Sequence, residues 1–164
     1  MSEVFEDVNL AIKIQEAKTE DLEALLRLNH ELHENETLLE ITSKTEKIWG
    51  EIIDDRRLHC FMAYLDGEAV GTCMLDIVPN LTRGARPFGV LQNVVTAAKH
   101  RGKGIGRKLN QHVLNFAWSK NCYQVLVQTG RPAVTSFYEK LGFRPDKIGL
   151  VAKPEWQNST EAEI

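Results

Sequence analysis

Seven residues between a strand-like run and a helical one concentrate the chemistry of this sequence: Arg101-Gly102-Lys103-Gly104-Ile105-Gly106-Arg107. Glycine lets a backbone approach a ligand closely and adopt positive φ. Where such a turn opens a helix, the first N–H groups lack intrahelical acceptors and point outward together, which makes an anion site suited to a pyrophosphate. Arg101, Lys103 and Arg107 add positive charge around that turn. The plainer reading is a glycine-rich connection with solvated cations. Spacing excludes two familiar phosphate loops. The glycines at 102, 104 and 106 do not complete G-x-G-x-x-G, because position 107 is Arg, and no G-x-x-x-x-G-K-[ST] occurs.

The elements that must position this turn follow from hydrophobic periodicity. Ala11 to Glu16 alternates like a first strand. Thr19 is the expected N-cap of a helix carrying Leu22, Leu25, Leu26 and Leu32, and a second helix over Thr45 to Asp54 should bury Ile48, Trp49, Ile52 and Ile53. His59 to Leu65 reads as a strand buried on both faces, Asp66-Gly67 as a hairpin turn, and Glu68 to Val78 as the returning strand. Leu81 to Pro87 is a surface loop and Phe88 to Thr96 another strand. A helix runs from Ile105 to about Lys120, followed by a strand at Gln124 to Thr129, a helix at Ala133 to Leu141 and a strand-like stretch at Ile148 to Lys153. The order β-α-α-β-β-β-α-β-α-β describes one mixed α/β domain over 11–154, with a flexible lead-in at 1–10 and a tail at 155–164.

Composition narrows the function. At 164 residues with 43% hydrophobic and 26% charged side chains, the chain has the composition of a single soluble domain. A net charge of −3 gives no general attraction to nucleic acid or an anionic membrane. No apolar run approaches the ~20 residues of a spanning helix, and Met1 to Asp7 lacks a basic run followed by an apolar core, so a secretory signal is not expected. Cys60, Cys73 and Cys122 lack metal or redox spacing and read as buried thiols in a reducing compartment, so the expected location is cytoplasmic. His30 and His33 are spaced to share a metal, but no third ligand converges and the expectation is no metal.

The glycine turn resembles R-x-x-G-x-G, the pyrophosphate loop of the GNAT N-acetyltransferase superfamily. Gln92-Asn93-Val94-Val95-Thr96 is similar to that family's central strand, and Phe137-Tyr138-Glu139-Lys140-Leu141-Gly142-Phe143 to its C-terminal signature, both in the correct order. The resemblance covers roughly 88–143 and implies a mostly antiparallel central sheet flanked by helices, with a splayed strand pair forming the cleft for acetyl-CoA. It further implies that backbone groups of Val94, Val95 and Thr96 hold the pantetheine arm. Those from Gly102 through Lys103, Gly104, Ile105 and Gly106 to Arg107 would hold the pyrophosphate. Tyr138 would lie near the thioester sulfur. Arg131 stands where an Asn commonly contacts the cofactor, so at that position a cation would meet a phosphate instead. Dimerisation is common in the family.

The implied reaction is direct attack of a small-molecule or peptide amine on acetyl-CoA through a tetrahedral intermediate. An alkylamine with a pKa near ~10 must first lose a proton, the carbonyl oxygen must be stabilised as charge develops, and the leaving thiolate gains from a proton donor. The Val94 N–H and the Tyr138 phenol suit the last two needs. Many relatives carry Glu where this chain has Gln92, and an amide cannot take the proton. Gln92 is therefore a positioning group. The candidates for a base acting through water are Glu34, Glu36, His59 and Asp76. The alternatives are an acceptor that arrives neutral, or a catalytically weak acyl-CoA-binding module. A third class, an interaction protein keeping only the fold, is disfavoured by the retained glycines. Glu31, Glu34, Glu36 and Glu40 read as a solvated face or as an attraction for a cationic amine, whereas Arg83 and Arg86 argue for an anionic acceptor.

Overall fold

A computed structural model describes residues 11–157; the lead-in expected at 1–10 and most of the tail expected at 155–164 lie outside the described residues. The chain forms two compact units, Met1–Val127 and Gln128–Ile164. In the first, β1 (Ile12–Glu16), β2 (Leu58–Leu65), β3 (Glu68–Val78), β4 (Phe88–Thr96) and β5 (Val125–Val127) form a sheet in that order. All neighbours are antiparallel except β4 and β5, which run parallel. This is the mixed, mostly antiparallel α/β architecture expected from the sequence.

Alternation along the strands divides the core into two layers. On one face Cys60, Met62 and Val95 pack with Leu22, Leu25 and Leu28 of α1 (Leu22–Leu32) and Trp49 of α2 (Ser43–Asp54). On the other, Phe61 meets the rings of His112 and Phe116 on α3 (Ile105–Ser119). Ile105, Leu109, Val113 and Ala117 recur every fourth residue and are almost fully buried, a stripe in which each larger aliphatic contributes roughly 1.5–3 kcal/mol. At Gly71 a Cβ would stand 3.1 Å from the Val95 oxygen and 3.4 Å from Ile105 Cγ2, so glycine lets the first turn of α3 sit close against the sheet.

The helix starts differ from expectation in one detail. Thr19 contributes its carbonyl, which accepts from Trp49 Nε1 at 3.0 Å and ties α2 to the turn before α1. The capping carboxylate is that of Asp21, which accepts from the Lys18 N–H at 2.7 Å and from the Tyr64 hydroxyl. Burial and then the Asp21 carboxylate push the Tyr64 phenol well above its ordinary pKa, so it remains a donor. We expect Asp21→Ala, which leaves both donors without their acceptor, to cost about 2–3 kcal/mol in urea denaturation; Tyr64→Phe should cost less, because the backbone donor keeps its partner.

Cys60, Cys73 and Cys122 are free and buried, as expected, and burial pushes the Cys60 thiol up to about 11. Ile48, expected in the core, is 45% exposed. Consecutive helical residues diverge by about 100°, and Trp49, fully covered, sets the buried direction that Ile48 misses.

The second unit contains a 3₁₀ turn at Pro132–Val134, α4 (Thr135–Glu139) and α5 (Pro154–Gln157). The strand expected at Ile148–Lys153 does not form: the segment has no ladder partner among the described residues, and Ile148 and Leu150 are about nine-tenths exposed. Alternating apolar residues suit a strand, but an isolated one leaves its backbone groups unpaired and is not stable.

Candidate active site

β4 pairs with β5 only at Gly89, Val90 and Leu91. From Gln92 onward that edge has no strand partner among the described residues, because β5 ends at Val127. On its other edge β4 changes register. Gln92 lies opposite Met74 and Val95 opposite Thr72, so Cys73 alone faces both Asn93 and Val94. This is a bulge, and Asn93 absorbs the extra residue at φ 51°. A bulge leaves one residue's backbone groups outside the ladder and bends the strand, which frees backbone at Asn93–Val94 beside the open edge. Periodicity gave no sign of this bulge; the one local signal is that Asn tolerates left-handed backbone better than most residues.

The glycine turn follows directly. Gly102 and Gly104 have φ of 76° and 78°, and Gly104 immediately precedes α3, its carbonyl accepting from the Lys108 N–H at 3.0 Å. The N–H groups of Ile105, Gly106 and Arg107 precede that first helical bond and have no intrahelical acceptor. A Cβ built at either glycine meets nothing within 4 Å, so the space outside the turn is open. The Ile105 side chain is buried beneath it, leaving this residue its backbone N–H as a binding group.

Other residues hold the turn in place. Arg101 Nε donates to the Thr96 carbonyl at 3.1 Å, spending part of that cation on the end of β4. Lys103 Nζ lies 3.3 Å from His100 Nδ1, and Arg107 is exposed. Sequence reasoning did not identify two of the supports. Asn110, fully buried, donates to the Gly106 carbonyl at 2.7 Å, and Glu31 accepts from the Ala98 N–H at 2.6 Å. Glu31 had looked like part of a solvated face; Ala98 is 67 residues away, a pairing that no local pattern announces.

Cross-strand register also sorts the candidate bases. Gln92 is opposite Met74, which is opposite Cys60, so all three face α1 and α2. Asp76 is opposite Val90, two residues before Gln92. Asp76 and Gln92 are therefore diagonal neighbours on one face, a relation that puts Cα atoms about 7–8 Å apart. His59 faces α3, its ring centroid 4.6 Å from that of Phe116 and its Nδ1 2.6 Å from Glu16 Oε1. Glu34 and Glu36 are exposed in the α1–α2 connection. Arg86 donates to the Asn121 and Cys122 carbonyls, and Arg83 lies over the Tyr123 ring at 5.9 Å; both are in the loop before β4, at the far end of that strand from the glycine turn. Among the described residues no three His, Cys, Asp or Glu side chains gather as a metal-binding group.

Arg131 and Tyr138 belong to the second unit. The Arg131 N–H donates to Thr129 Oγ1 at 3.1 Å. Tyr138 is half-buried on α4, its ring edge-on to Phe137 at 5.2 Å and to Phe143 at 5.5 Å, and its carbonyl accepts from the Phe143 N–H at 3.1 Å.

Residues 19–143 match the model of the Acetyltransferase (GNAT) family. A stretch of 78 residues, 48% of this chain, is 40% identical to glucosamine 6-phosphate N-acetyltransferase of Trypanosoma brucei brucei and spans about half of that enzyme, 52%. Over 82% of this chain and 85% of the other, it is 27% identical to thialysine N-epsilon-acetyltransferase of Sus scrofa. A solved structure from Agrobacterium tumefaciens str. C58, of a protein proposed to be an acetyltransferase, superposes with a TM-score of 0.82 at 38% identity and covers 86% of this chain and 99% of its own.

Proposed function

The chain belongs to the acetyltransferase (GNAT) family, and from that premise we propose that it moves the acetyl group of acetyl-CoA to an amine of a small molecule or peptide in the cytoplasm. The observation that carries this reading is one strand and its following turn. An open backbone edge at Val94–Thr96 leads into left-handed glycines that open on the N-terminus of α3.

Acetyl-CoA suits these residues. Backbone groups of Val94, Val95 and Thr96 take the pantetheine arm as an added strand. The N–H groups from Gly102 to Arg107 hold the pyrophosphate, with Lys103 and Arg107 supplying charge. The cosubstrate brings the acetyl group and a thiolate leaving group; the remaining work is done by the chain. The Val94 N–H, beside the bulge, stabilises the carbonyl oxygen as negative charge develops. By its place in the C-terminal signature that resembles the family's, the Tyr138 phenol is the proposed proton donor to the departing sulfur. Gln92 orients the amine, and Asp76, its diagonal neighbour, receives the amine's proton through water.

The two curated relatives are named for different acceptors, a phosphorylated amino sugar and thialysine. The deciding experiment is a thiol-release assay with acetyl-CoA against amino sugar phosphates, amino acids, polyamines, aminoglycosides and N-terminal peptides, from about pH 6 to about pH 10. Release dependent on one amine class is expected. If no amine supports release while acetyl-CoA still raises the melting temperature, the chain is an acyl-CoA-binding module instead.

A further inference from the structure

At the other end of α3 from the glycine turn lies a cavity. It has a volume of about 640 Å³, within the usual range for small-molecule sites, and belongs wholly to the first compact unit. Arg56, Arg57 and His59 enter it from the start of β2, Lys120 from the end of α3, and Ile77 and Leu81 from the end of β3 and the loop that follows. The 15 residues of α3 put about 22 Å between Lys120 and the glycine turn.

Its charge is unbalanced. Among the described residues no carboxylate lines it, and two that pair with its lining residues are already engaged: Asp55 accepts from the Arg57 N–H at 2.8 Å and pairs with its guanidinium at 3.5 Å, while Glu16 holds His59. The Arg57 N–H beside Asp55 keeps that carboxyl below its ordinary pKa, so it stays a charged partner. Among the described residues neither Arg56 nor Lys120 forms an ion pair, and Lys120 has only the Phe116 ring, 5.1 Å from Nζ.

Ile77, Pro79, Leu81, Ala85 and Pro87 supply its apolar lining, and Leu81 is 96% exposed. The rim is also fixed. Asn80 Nδ2 donates to Thr82 Oγ1 at 2.8 Å and to the Arg86 carbonyl at 3.2 Å, and Arg86 is anchored to the α3–β5 turn through Asn121 and Cys122. A wall already ordered need not lose that freedom again when a ligand arrives.

We infer that this cavity binds a small organic anion, with its carboxylate or phosphate between Arg56 and Lys120 and its apolar body against Ile77 and Leu81. Two uncompensated cations in a cavity with an apolar lining recognise both parts of such a molecule, and neither part alone. This site is independent of the acetyltransferase reading.

Benzoate, phenyl phosphate, inorganic phosphate and neutral benzyl alcohol, titrated into ¹⁵N-labelled full-length chain at constant ionic strength, test the inference. Benzoate or phenyl phosphate should move the amide signals of Arg57, His59, Leu81 and Lys120, and which of the two binds more tightly identifies the head group. Inorganic phosphate and benzyl alcohol should bind at least about tenfold more weakly. The double variant Arg56→Ala, Lys120→Ala should weaken the organic anion by at least about tenfold. Both residues are exposed, so its urea midpoint should match the parent, and Lys120→Gln serves as the milder variant. Shifts confined to Gly102–Arg107, equal binding of benzyl alcohol, or an unchanged Kd in the variants would overturn the proposal.

Discussion

Gly104→Asp should raise the Kd for acetyl-CoA at least about 100-fold, a loss of about 2.8 kcal/mol, while the protein stays folded. Gly104 sits at φ 78° with nothing within 4 Å of a built Cβ, so the protein itself has room for the side chain. That room is where the pyrophosphate would approach the N–H groups at the start of α3. A carboxylate there meets the phosphates as a like charge and competes for the same donors. The backbone cost is of order 1–2 kcal/mol, and Asp is among the residues that bear a left-handed conformation best. Gly104→Asn separates the causes, because it has nearly the same size and backbone tolerance without the charge. Calorimetric titration should find Asn intermediate and Asp weakest, with both urea midpoints within the range set by backbone strain. Wild-type affinity in both variants would remove the glycine turn from the binding site.

The features legible in the sequence are those that local chemistry controls. Asp66-Gly67 marks the hairpin, and both residues adopt the positive φ that such a turn requires. The run Phe88–Thr96 and the four-residue stripe of α3 bracket the glycine turn, and the strand and helix form with those boundaries or within a residue of them. What was not legible depends on partners distant in sequence. Ile148, Leu150 and Val151 have strand-like composition, but a strand is a property of a ladder and composition cannot supply the neighbour. The bulge at Asn93 exists because β3 and β4 differ by one residue between their pairings, which is a statement about two segments and not one. Glu31 is a similar case: its role as acceptor for Ala98 follows from α1 lying beside the end of β4. The identity of the base is set by partners distant in sequence too. Glu34, Glu36, His59 and Asp76 are all available by sequence, with His59 the more natural edge histidine; register puts His59 on the α3 side of the sheet and Asp76 diagonal to Gln92.

That register leads to a second large effect. Asp76→Asn should lower kcat about 100-fold near neutral pH and leave KM for acetyl-CoA unchanged, since general-base contributions are commonly about 10²–10⁴-fold and Asp76 is assigned no contact with the cosubstrate. The loss should shrink as pH rises toward ~10, because an alkylamine increasingly arrives already neutral and the carboxylate has less to do. Gln92→Glu places a carboxylate on the same face, two residues along β4 from the position opposite Asp76. It should raise the neutral-pH rate of the parent and recover much of the activity of Asp76→Asn. Recovery by Gln92→Glu is informative because a structural role for Asp76 would not be repaired by a charge on the neighbouring strand. If Asp76→Asn lowers kcat equally at every pH, Asp76 positions a group and moves no proton. If it changes nothing while the rate still follows deprotonation of the amine, the acceptor reaches the site neutral, and Gln92 suffices because no base is needed.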